Sequence, residues 1–117
     1  MTFKVRDRRG TSRYFIDNIF LRGGWGAKVG PYGIAAYNAL TLHVDADEQS
    51  GYPSYALIAT LTGMSERQAI RVIAELERWH IVYKEPRFKD GEGSQTSNEY
   101  ILLSPKEWIP IDPPYDS

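Results

Sequence analysis

The sequence predicts a mainly α domain, a three-helix core followed by a small β-hairpin. Three observations predict it. Two serine-capped apolar segments follow one another over 54–79, with a glycine turn between them. A helical apolar period runs through the second of these segments. Two β-rich runs around a Gly-rich polar stretch come directly after it.

The elements follow in chain order. Residues 2–6 read as a short strand and Arg8-Arg9-Gly10 as a turn. Residues 14–20 are apolar and β-rich, and their state stays open. Gly23-Gly24-Trp25-Gly26 reads as a loop. A first helix is expected over 31–44. Pro31 suits its first position, where a missing N–H has no partner to lose. Ile34, Tyr37, Leu40 and Val44 share one face. The acidic run Asp45-Ala46-Asp47-Glu48 ends it. The second helix is expected over 54–62, with Ser54 as N-cap and Leu57, Ile58 and Leu61 as its apolar set. Gly63 can take the left-handed conformation of a sharp turn. The third helix is expected over 66–79. Ser65 caps it, and Gln68 completes a capping box. Two helices joined by about three residues with glycine at the turn make a helix-turn-helix. Small Ala59, four residues before Gly63, permits a close crossing, and Met64 plugs the turn. Strands are expected near 81–84 and 99–103. Ser104-Pro105-Lys106-Glu107 has the residues for one more capped turn, and three later prolines keep the tail irregular.

Composition bounds the function. The 117 residues suit one domain and an ordinary soluble balance, with 42% hydrophobic and 25% charged residues. Cysteine is absent, which excludes disulfides and thiolate metal sites. No run approaches a membrane span or a signal sequence, so a cytoplasmic location is expected. Net charge is −1, yet it is unevenly spread. Residues 1–30 carry Lys4, Arg6, Arg8, Arg9, Arg13, Arg22 and Lys28 against Asp7 and Asp17. Residues 90–117 carry six acidic groups against Lys106. One basic and one acidic surface are expected, and the local field rather than the net charge decides binding. The expected organisation is a basic arm or edge strand (1–13), the domain (14–103) and a turn with an acidic tail (104–117).

On a helical wheel, Ala69, Val72, Ile73 and Leu76 fall on one side of the third helix, the core face. Arg67, Arg71, Ala74 and Arg78 fall on the other. Arginine's planar fork suits guanine edges and phosphates alike. The small alanine lets the backbone approach a groove. Ser65 and the first N–H groups of the helix suit a phosphate. Ile70 lies beside the ridge, where a thymine methyl is one candidate partner. Against this, Glu75 is placed to pair with Arg71 or Arg78 and leave a merely solvated face.

The run Pro53-Ser54-Tyr55-Ala56-Leu57-Ile58-Ala59-Thr60-Leu61-Thr62-Gly63-Met64-Ser65-Glu66-Arg67-Gln68-Ala69-Ile70-Arg71-Val72-Ile73-Ala74-Glu75-Leu76 resembles the winged helix-turn-helix of phage and plasmid replication initiators and of small bacterial transcription regulators. Ala36-Tyr37-Asn38-Ala39-Leu40 matches their first helix, and Ser97-Asn98-Glu99-Tyr100-Ile101-Leu102 their strand after the wing. The resemblance implies DNA-reading positions at Arg67, Gln68, Ile70 and Arg71, and a wing carrying Lys89, Gly91 and Gly93. The family usually has glycine just after the third helix, where this chain has His80, a residue that tolerates positive φ better than most.

Sequence-specific binding of double-stranded DNA is therefore the expected function, with Lys4, Arg6, Arg8, Arg9 and Arg13 as arm contacts and a homodimer as the expected assembly. The alternative is a protein-interaction adaptor on the same fold, favoured by the near-neutral charge and by Asp90 and Glu92 in the wing. Neither catalysis nor a cofactor is expected. Asp45-x-Asp47 lacks the rest of a calcium loop, and His43 and His80 are too far apart for a zinc pair. His43 is read as a helix-end residue. Trp79 is expected to pack. Trp108 either seals the core edge or, with Tyr115, forms a surface for a protein partner.

Overall fold

The computed structural model describes residues 4–11, 13–45, 53–88 and 95–111. Its helices are α1 (Ile19–Arg22), α2 (Trp25–Asp45), α3 (Tyr55–Thr62) and α4 (Glu66–Arg78). Strands β1 (Val82–Phe88) and β2 (Gln95–Leu102) follow, then a 3-10 turn at Pro105–Glu107. The second and third helices expected from the sequence are α3 and α4.

The N-terminal third departs from expectation. Lys4, Val5 and Arg6 form no strand. Residues 14–17 are irregular, and the helical turn α1 follows. Trp25 and Gly26 are not loop residues: they open α2. That helix is kinked at Gly30, whose φ of 79° and ψ of 175° are non-helical. Gly30 thus lets one helical turn join the helix that Pro31 starts, instead of ending in a loop.

The turn between α3 and α4 follows its sequence signals closely. The Ser54 hydroxyl accepts from Leu57 N at 3.0 Å. The Ser65 hydroxyl accepts from Gln68 N at 3.1 Å. Gly63 is left-handed at φ 79°, and its N–H donates to Ala59 O at 2.9 Å. Met64 is buried beneath the turn. His80 closes α4 at φ 58°, so the left-handed position expected there is kept without glycine.

A β-carbon on Gly63 would meet no atom within 4 Å. Any cost of substitution is therefore backbone strain. Gly63→Val should cost about 1–3 kcal/mol, whereas Gly63→Asn should cost markedly less, since asparagine visits this region. Denaturant melts of the two variants compare them. Equal losses would show that φ is not the constraint.

The core lies where α2, α3 and α4 meet. Ala36, Tyr37, Ala39, Leu40, Ile58, Ala69, Val72, Ile73 and Leu76 are buried there. On α3 the inward face is Tyr55, Ile58, Ala59 and Thr62. Leu57 and Leu61, expected inside, are 39% and 49% exposed. The helix is apolar nearly all round, so its sequence does not select a face.

Aromatic residues seal the other end of the core. Phe20 from α1 lies 4.5 Å from the Tyr37 ring and 6.1 Å from Trp108, edge-on to the latter. Trp25 meets Trp108 edge-on at 5.3 Å and donates its indole N–H to Ile109 O at 2.8 Å. Trp108 is 3% exposed, so it is a core residue and offers no surface to a partner. Ile111 is buried too. Tyr115 lies outside the described residues. Trp79 packs against the core as expected.

Candidate nucleic-acid interface

The geometry of α4 begins with its caps. Ser65 fixes the first turn, and Glu66 places a negative charge at the positive end of the helix dipole. Ala69, Val72, Ile73 and Leu76 are fully buried and press one face onto α2 and α3. The opposite face must then look outward. Arg67, Ile70, Arg71, Ala74 and Arg78 are all exposed on it.

The structure distinguishes the three arginines. Among the described residues, the Arg67 side chain makes neither a hydrogen bond nor an ion pair. Arg71 donates its Nε–H to Gln68 Oε1 at 3.2 Å. Arg78 Nη1 lies 3.9 Å from Glu75 Oε2, a loose pair with the arginine 77% exposed. Exposed pairs of this kind contribute little, so Arg78 is available to other anions. Gln68 does not close the expected capping box: its backbone N–H donates to the Ser65 hydroxyl, while its side-chain carbonyl accepts from Arg71. Ile70 is 46% exposed at one edge of the ridge.

The hairpin is fastened beside α4. Ile81 N donates to Leu76 O, and Leu103 N to Ile81 O, both at 3.0 Å. Val82 pairs with Leu102 and Lys84 with Tyr100 in an antiparallel register that continues to Phe88 and Gln95, with one irregularity after Arg87. Lys84 joins three elements. Its ammonium donates to the Tyr55 hydroxyl at 3.3 Å and lies 3.7 Å from the Glu77 carboxylate. Burial works to lower its pKa, but Tyr55 and Glu77 together outweigh this and raise it. Lys89, Gly91 and Gly93, the positions expected to touch DNA from the hairpin tip, lie outside the described residues.

The basic N-terminal stretch is exposed from Lys4 to Gly10. Asp7 engages two of its arginines, Arg9 at 2.9 Å and Arg13 at 3.6 Å. The hydrogen bond from Arg9 holds the Asp7 carboxyl down at about 2. Lys4, Arg6 and Arg8 have no such partner among the described residues.

An open cleft of about 400 Å³ is lined by Ile16, Asp17, Tyr37, Leu102 and Leu103 among others. Burial, and then the Asp17 carboxylate, pushes the Tyr37 hydroxyl up to about 12, so it stays neutral at ordinary pH. Among the described residues no three His, Cys, Asp or Glu side chains gather as a metal site. His43 bonds Ala39 O through Nδ1 at 2.8 Å, a local helix contact. Among the described residues no helix is long and apolar enough to cross a membrane.

Residues 37–81 match the family model of a helix-turn-helix domain. The match runs from the middle of α2 through the turn to the end of α4, and so covers the elements that carry the arginine ridge. A domain of this kind suggests binding to double-stranded DNA. No curated protein and no solved structure matches the chain. Similarity to replication initiators in particular gains no support from these comparisons.

Proposed function

We propose that this protein binds double-stranded DNA sequence-specifically, without catalysing a reaction, as a regulator or replication-initiator-like protein of the phage and plasmid type. The exposed arginine ridge of α4, held outward by its buried opposite face and placed just after a capped glycine turn, carries the reading. In this arrangement α4 enters the major groove, where Arg67 and Arg71 meet base edges and Arg78 meets backbone. Ser65 and the first N–H groups of α4 approach a phosphate. The β1–β2 hairpin serves as the wing and reaches the flanking duplex with Lys89, Gly91 and Gly93. Lys4, Arg6 and Arg8 add phosphate contacts from the arm, while Asp7 partly neutralises Arg9 and Arg13.

The test is a titration against a random-sequence duplex at about 50 and about 200 mM salt. Each phosphate contact should add roughly 0.9 to the negative slope of log affinity against log salt. Six to ten contacts would weaken binding about 10³- to 10⁵-fold between the two conditions. Absence of duplex binding at either concentration would leave the protein-interaction adaptor as the better account.

A further inference from the structure

Gln68 lies in the first turn of α4 and is half-buried. Its backbone is fixed by the Ser65 hydroxyl at 3.1 Å, and its side-chain carbonyl takes Arg71 Nε–H at 3.2 Å. That bond occupies one donor of the guanidinium. Four N–H donors remain, on the two terminal nitrogens. A guanine presents O6 and N7 side by side in the major groove, and a planar fork meets both at once.

Two features make this contact more than a chance surface bond. First, Gln68 is a neutral acceptor. It orients Arg71 without cancelling the charge that must face DNA, unlike the carboxylate beside Arg78. Second, Arg71 lies in the second turn of α4, on the exposed ridge, with small Ala74 nearly one turn further along the same face. A long side chain already held loses less rotamer freedom when it binds.

We infer that Gln68 is a positioning residue, which holds Arg71 by Nε so that its two terminal nitrogens read O6 and N7 of a guanine. The inference rests on α4 being the DNA-contacting helix. Gln68 itself then touches no base, in contrast to the direct contact its place in the helix suggests.

The experiment starts from a site selected out of a randomised duplex pool by the unmodified protein. Affinities for that site, for single-base variants of it and for a random duplex are then measured with Gln68→Met, Gln68→Glu, Arg71→Ala and the double variant Gln68→Met/Arg71→Ala. Gln68→Met should cut the preference for guanine at one position by about fivefold or more. Arg71→Ala should relax the same position. The double variant should match Arg71→Ala, because Gln68 acts through Arg71. Gln68→Glu keeps the acceptor, so it should keep the guanine preference while its charge weakens binding to every duplex. Thermal melting of each variant checks that the fold is retained. Additive effects in the double variant would overturn the inference, since Gln68 would then contact DNA directly. So would a Gln68→Met that lowers all affinities alike. Failure of the unmodified protein to bind any duplex would remove the DNA reading itself, and is distinct from both.

Discussion

Replacing Phe20 by alanine should cost about 3–5 kcal/mol of stability, the range for deleting a buried aromatic ring. Phe20 is wholly buried, and it is the buried side chain of the four-residue α1. So short a helix has no stability of its own. Its place depends on that ring lying 4.5 Å from Tyr37 and 6.1 Å from Trp108. The cavity left by alanine would be walled by two large rings that cannot collapse into it without losing their contact with Trp25 or the α2 core. The thermal midpoint should therefore fall by more than ~10 °C. Phe20→Leu, which fills part of the space, should lose distinctly less. The measurement is a pair of denaturant melts with the slope compared as well as the midpoint. A loss below about 1 kcal/mol for Phe20→Ala would mean that α1 is not part of the cooperative core.

Phe20 also shows what sequence could not reveal. Periodicity registers a helix only over several turns, and α1 has one. The aromatic seal joins segments far apart in the chain: Trp25 reaches Ile109 across 84 residues. Nothing local in either segment announces the other. For that reason Trp108 reads equally well as a core residue or a surface one from sequence, and only packing decides between them. Leu57 and Leu61 failed for a different reason: every face of α3 is uncharged, so a wheel cannot orient it. By contrast, the α3–α4 turn was legible to the residue. Caps, a left-handed glycine and a periodic amphipathic helix are local devices, and each acts within four residues of itself. The ridge was legible because the core face of α4 is unambiguous. Its internal differences were not, since whether Gln68 turns toward the Ser65 backbone or toward Arg71 is a choice between two rotamers of similar reach.

Removing Arg67, Arg71 and Arg78 together should abolish preference for a selected site and lower the salt slope for random duplex DNA. All three are exposed, so alanine at each should change stability by no more than about 0.5 kcal/mol. Any larger change in binding is then a change at the interface. The single variants should separate by role. Among the described residues the Arg67 side chain has no partner, and it lies in the first turn of α4, the part of a recognition helix that faces base edges. Arg71 is held one turn on. Losing either bidentate contact should cost about 1–3 kcal/mol on the selected site and relax preference at one base position. Arg78 lies beside Glu75 near the end of the helix, and the later residues of a recognition helix drift toward the DNA backbone. Its loss should weaken binding to all sequences alike and reduce the slope by about 0.9. Ile70 supplies an internal control, because its side chain carries no charge. Ile70→Ala should leave the slope unchanged and affect only sites with a thymine at one position, where replacing thymine by uracil in the duplex should reproduce the loss. The measurements are affinities for the selected site and for random duplex at two salt concentrations. If all three arginine variants and their combination bind both duplexes like the unmodified protein, the ridge is a solvated face and α4 is not the element that reads DNA.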